Sequence, residues 1–219
     1  MTAGLAASVY ASIVRPWHLR WGATCTEAAR ALPGDELVSR PQLEATRAIT
    51  IAAPREGVWP WLVQMGGYTR AGWYSYDFFD NAGRPSALQI RPELQHLAVG
   101  DVLPFDPDGS GFEVRAIHAP HCLVTAHERP GGAISVTYIL EPLAGERTRL
   151  LVRLRLRVST WRGWPFLAAM DVGDFVFMRR MLLGIRERAE RGRIAAGTLV
   201  PSARPVPLRP GAGPHSVRI

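Results

Sequence analysis

From Thr148 to Val158 the chain alternates without a break. Leu150, Val152, Leu154, Leu156 and Val158 fall on one side, and Arg149, Leu151, Arg153, Arg155 and Arg157 on the other. Successive strand side chains point to opposite faces, so this segment is a strand with one face on an interior and the other on a polar surround. Such a strand needs antiparallel neighbours, and the preceding sequence supplies them. Candidate strands cover 46–52, 101–105, 112–118, 122–127 and 134–141. The later ones are separated by turn formers such as Asp106-Pro107-Asp108-Gly109, Pro130-Gly131-Gly132 and Ala144-Gly145-Glu146. Connections this short join antiparallel neighbours. The arginine row is expected to be solvated and to guard an exposed edge.

Helical signals flank these strands. Ala53-Pro54-Arg55-Glu56 starts a helix with proline at its first position and an acid near its positive end. Val58, Leu62 and Met65 share one face, Pro60 shortens or kinks the helix, and Gly66-Gly67 ends it. The aromatic stretch from Ala71 to Asp80 leads into a second short helix, with Ser75 as its expected N-cap. The last element runs from Pro165 to Arg193, apolar on nearly every face in its first half and arginine-rich at its end. A helix of that kind is buried or lies over a pocket. Four segments are expected: an apolar extension at 1–14, an irregular lead-in at 15–45 with a turn at Pro33-Gly34-Asp35, one ligand-binding domain at 46–193, and a disordered Pro/Arg-rich tail at 198–219.

Strand, two short helices, antiparallel strands and a long C-terminal helix is the helix-grip order, an α+β class. A curved antiparallel sheet of six to seven strands wraps the last helix, and the two short helices close a cavity. At residue level the chain resembles the SRPBCC superfamily, and most nearly a bacterial subgroup of it without assigned function. The resemblance rests on Arg20-Trp21-Gly22-Ala23-Thr24, Leu32-Pro33-Gly34-Asp35-Glu36-Leu37, Thr46-Arg47-Ala48-Ile49-Thr50-Ile51 and the segment from Val58 to Gly66. Gly72-Trp73-Tyr74-Ser75-Tyr76-Asp77, Pro92-Glu93-Leu94-Gln95 and Val99-Gly100-Asp101 complete it, over about residues 15–192. The superfamily includes START lipid-transfer domains, pollen-allergen-like proteins and aromatic polyketide cyclases. The resemblance implies the fold and an apolar ligand. It implies no catalytic residue.

Charge is the feature most open to misreading. The net charge is +7, and all 26 basic residues are arginine. They concentrate after residue 146, where 15 arginines face 4 acids, while residues 1–146 hold 11 against 15. The basic half is one strand, one helix end and a tail. It lacks the interleaving of basic and exposed aromatic residues, and the groove-reading helix, that nucleic-acid binding calls for. Two distant cysteines, Cys25 and Cys122, form neither a disulfide framework nor a thiolate metal site, and a cytoplasmic location is expected. His118, His121 and His127 surround one turn without a zinc spacing, so neither a metal nor a cofactor is expected.

The cavity side chains follow from periodicity. On the last helix Met170, Asp174, Phe177 and Met181 form one stripe, with Asp174 the acid in an apolar surface and Asp171 one turn earlier. The alternative for both acids is a place in the helix's first turn, favouring its dipole. Tyr138 alternates with Val136 and Leu140 on the inner face and offers a hydroxyl. Trp73, Tyr74, Tyr76 and Asp77 complete the ligand-binding set; the alternative for Asp77 is bonding to backbone amides near a helix start. Three functions fit these residues. The first is binding of a small apolar or aromatic molecule. The second is a polyketide-cyclase-like enzyme acting on a hydrophobic intermediate, with Asp77, Asp174 or Tyr138 as acid, base or oxyanion donor. The third is a lipid carrier that touches anionic membrane through residues 1–14 and the arginine row.

Overall fold

The computed structural model describes residues 2–198. Six strands form one antiparallel sheet: β1 (Leu43–Ile51), β2 (Val102–Pro104), β3 (Gly111–His118), β4 (Cys122–Arg129), β5 (Gly132–Leu143) and β6 (Arg147–Val158). Their order is β1-β6-β5-β4-β3-β2, so the chain runs as a meander from β2 to β6 and closes on the first strand. Short turns set this order, since each hairpin places the next strand beside the last. A register shift between Val114 and Ala116 bends β3.

The helices are α1 (Thr2–Val9), α2 (Arg15–Leu19), α3 (Cys25–Ala29), α4 (Arg55–Val63), α5 (Asp77–Asp80) and α6 (Trp164–Thr198). A π-helical turn over Tyr10–Val14 joins α1 to α2. The core lies between the inner sheet face and α6, and includes Leu150, Val152, Leu154, Leu156, Leu182 and Ile185. Midway along α6, Gly184 lets the helix press on the loop beneath it: a Cβ there would stand 2.3 Å from the Tyr74 carbonyl oxygen. This is a helix-grip fold. The expected tail lies outside the described residues from 199 onward.

The outer face of the sheet differs from expectation. Residues 15–45 are not irregular throughout, since α2, α3 and a 3-10 turn at Asp35–Val38 occupy them. They cross the arginine row and cover it except at Arg157, which stays exposed. Arg153 is buried and donates to Thr46 Oγ1, to Asp35 Oδ2 and to the carbonyls of Glu27, Ala28 and Arg30. Arg149 pairs with Glu27, and Arg155 with Asp35. A second apolar cluster of Leu32, Ala48, Cys122, Val124, Ile139 and Leu151 fills the gap. β6 is also an interior strand, between β1 and β5, so its arginines guard no edge. The row is neither a solvated face nor an edge guard. It is the attachment of the lead-in, because guanidinium groups saturate several carbonyls at once.

Candidate functional site

Between the inner sheet face and the N-terminal half of α6 lies a pocket of about 430 Å³. The sheet contributes Phe112, Ile134, Val136, Tyr138 and Leu154, whose positions follow from the alternation of β3, β5 and β6. α6 contributes side chains at helical spacing, among them Phe166, Met170, Gly173, Phe177 and Met181. Trp73, Ser75, Asp80 and Phe105 close the ends. Phe105 and Phe112 are held edge-on to each other, with ring centres 5.2 Å apart, and His127 also meets Phe105 edge-on.

Of the residues singled out from the sequence, Trp73, Tyr138, Met170, Asp174, Phe177 and Met181 line this pocket. Tyr74, Tyr76 and Asp77 do not. Tyr74 is buried behind the site and donates its hydroxyl to the Trp61 carbonyl oxygen at 3.1 Å. Tyr76 is exposed and packs edge-on against Phe177. Asp77 accepts from the Ser86 amide at 2.8 Å and from the Ser86 hydroxyl, so it holds a loop together. Ser75 does not cap α5. Tyr76 occupies that position without a side-chain bond, and the Ser75 hydroxyl donates to the Phe177 carbonyl instead.

Asp174 and Asp171 also have different settings from those expected. α6 begins at Trp164, so neither acid lies in its first turn. Asp174 forms a buried ion pair with Arg47, whose side chain is 1% exposed. Arg47 stands on the inner face of β1 in alternation with Leu43, Ala45, Ile49 and Ile51, and its Nε donates to the His18 carbonyl oxygen at 2.9 Å. Asp171 accepts from Arg15 and from the Tyr10 hydroxyl, which ties the N-terminal helices to α6. Burial and the hydrogen bond to Asp171 push the Tyr10 phenol up to about 12.

Two groups give the pocket its polarity. Burial, reinforced by the nearby Asp174 charge, raises the Tyr138 phenol well above its ordinary range, and no hydrogen bond contributes. Its hydroxyl is neutral at pH 7, and the residue lines the pocket. Asp80 was missed by the sequence reading. Burial first, and the Asp77 carboxylate second, raise its carboxyl above the usual range. One of its oxygens is buried without a hydrogen-bond partner among the described residues. The signal was present as a second acid three residues after Asp77, on the same helical turn. The histidines near the β3–β4 turn are turned to backbone: His121 Nδ1 lies 2.9 Å from the Leu140 carbonyl oxygen, and His127 Nδ1 lies 2.8 Å from that of Gly111.

Family models give no match to the chain, and neither do curated proteins. Solved structures do. A START superfamily protein from Mycobacterium smegmatis is 14% identical, aligned over 68% of this chain and 97% of its own, with a TM-score of 0.41. A hypothetical protein from Helicobacter pylori is 13% identical over 76% of this chain and 99% of its own, with a TM-score of 0.49. A protein from Chromobacterium violaceum is 13% identical over 67% and 96%, with a TM-score of 0.46. These likenesses concern the fold alone. No helix among the described residues is long and apolar enough to cross a membrane.

Proposed function

We propose that this protein binds a small apolar molecule carrying one or more rings, held between the sheet and α6. The observation that carries this reading is a space of about 430 Å³ walled by aromatic and aliphatic side chains, with Tyr138 and Asp80 as sparse polar points. Ligand sites commonly enclose about 300–1,000 Å³ and are mostly apolar with few placed polar groups. A dry cavity of about 150 Å³ holds benzene, so this one suits a body of roughly two to three rings. The unpaired cysteines, one buried and one exposed, fit a reducing cytoplasm.

Gly173 provides the test. A Cβ there meets nothing within 4 Å, and the residue lines the pocket. Gly173→Leu should fill the space, leave the fold intact and abolish fluorescence-detected binding of naphthalene and of a naphthol. Equal binding by wild type and variant would remove the pocket from the argument.

A second reading is favoured by Asp80. A carboxyl that holds its proton to higher pH suits a general acid facing a hydrophobic, polyketide-like intermediate, with the Tyr138 hydroxyl as oxyanion donor. Under that reading Asp80→Asn loses turnover while naphthol affinity is kept.

A further inference from the structure

The first turns of α6 expose an apolar surface that the pocket leaves unused. One side of the helix, with Phe166, Met170, Gly173 and Phe177, faces the pocket. Another, with Trp164, Leu167 and Asp171, faces Tyr10 and Arg15. Between these two sides Val172 and Val176 stand exposed. Trp161 is 76% and Trp164 61% exposed where the helix begins. Leu5, Val9, Ile13 and Trp17 carry the surface across the N-terminal helices. On the opposite flank Phe79 lies 6.3 Å from Phe177, and Phe78 is 79% exposed. An aromatic side chain presents about 150–250 Å², so Trp161, Trp164, Phe78 and Phe79 together show on the order of 500 Å². The largest apolar patch on a typical monomer is about 300–600 Å² and is often functional, and here four residues alone reach that range.

Charge decides what covers it. Residues 1–26 contain no acid, and they contribute Arg15 and Arg20. Between residues 159 and 187 the acids are Asp171, Asp174 and Glu187, ion-paired with Arg15, Arg47 and Arg180, while Arg162, Arg179 and Arg186 have no acid partner among the described residues. Arg162 lies over the exposed Trp161 ring, 5.8 Å from its centre. On the far flank Asp77 is committed to Ser86 and Asp80 turns into the pocket. A second copy docking by two-fold symmetry would bring the same arginines to a rim whose acids are already paired. An anionic bilayer meets them with phosphates and accepts the tryptophans at headgroup depth. We propose that this face, formed by α1, α2, the start of α6 and Phe78–Phe79, docks on an anionic membrane surface. Arg149, Arg153 and Arg155 of β6 take no part, being held by the lead-in.

Co-sedimentation of the full chain with vesicles tests this. Vesicles of phosphatidylcholine and phosphatidylglycerol in equal parts should bind it at least about tenfold more strongly at low salt than phosphatidylcholine alone. Binding should fall as salt rises, and tryptophan emission should shift to the blue on binding. Trp161→Ser with Trp164→Ser, and separately Val172→Glu, alter exposed positions and should each cut binding about tenfold with the unfolding midpoint little changed. The proposal is overturned by absence of binding to both vesicle types at low salt, or by variants that bind as wild type does. It is equally overturned if the same variants dissociate a dimer in sedimentation equilibrium while no vesicle binding occurs.

Discussion

Replacing Asp174 by leucine keeps the branched outline of the side chain and leaves the Arg47 guanidinium buried without a counter-charge. Arg47 is held away from solvent, because its side chain is 1% exposed and its Nε is bonded to the His18 carbonyl. One Arg47 nitrogen already lacks a hydrogen-bond partner among the described residues, so no spare acceptor is at hand to replace the carboxylate. Removing one member of a buried pair costs about 3–5 kcal/mol. For a chain of this size each kcal/mol moves the melting temperature by about 2–4 °C, so a fall of about 6–20 °C is expected. Replacing both members, Arg47→Met with Asp174→Leu, removes the desolvated charges and should recover most of the loss. Urea unfolding followed by tryptophan fluorescence, for wild type, both single variants and the double, gives the coupling energy directly. A loss below about 1 kcal/mol for Asp174→Leu would refute the reasoning, as would a double variant less stable than that single one.

Gly173 and Gly184 should respond oppositely to alanine. Gly173→Ala gains about 0.5–1 kcal/mol from helix propensity in open space, whereas Gly184→Ala destabilises because its Cβ meets the Tyr74 carbonyl; thermal melts separate them. Tyr138→Phe should leave naphthalene affinity unchanged and weaken a naphthol about 2- to 10-fold, the worth of one hydrogen bond, read by fluorescence titration. The hydrogen bond from Arg149, aided by the Thr24 amide, holds the Glu27 carboxyl down to about 2 from 4.5 despite its burial. The unfolded chain therefore takes up this proton first, so the stability it supplies is present above pH 4.5 and is lost as pH falls toward 2. Urea midpoints across that range should drop more steeply for wild type than for Glu27→Gln.

What could be read from the sequence followed from its periods. β6 was legible because five aliphatic residues alternate with a polar set, and β5 placed Tyr138 inward by the same rule. β1 was seen three residues short, since Leu43 and Ala45 precede the stretch where alternation becomes clear. The period also placed Arg47 on the face of Ile49 and Ile51. Its meaning was missed because an arginine is read as solvated until the acid opposite it is known. Asp174 was likewise recognised as an acid on an apolar stripe, but its partner lies 127 residues away. A period of two says which side chains share a face and nothing about what lies over it, so the covered arginine row was illegible. Around Tyr74 no period applies at all. Its φ of 58° is left-handed, and the chain there turns in a way that neither helix nor strand spacing describes.

The bonds that fasten the lead-in have a consequence for how this region varies. Arg153 reaches the carbonyls of Glu27, Ala28 and Arg30, Arg155 that of Asp35, and Arg149 that of Gly22. Thr137 adds a bond to the carbonyl of Pro33. A carbonyl is the same whatever side chain follows it, so these contacts recognise the path of the segment and are largely blind to its spelling. Substitutions at Ala28 or Arg30 leave that recognition standing. Deleting a single residue moves every later carbonyl by about 3.8 Å, beyond hydrogen-bond reach. Apart from Glu27, Leu32 and Asp35, whose side chains are themselves engaged, the segment is free to change letters and is held to its length.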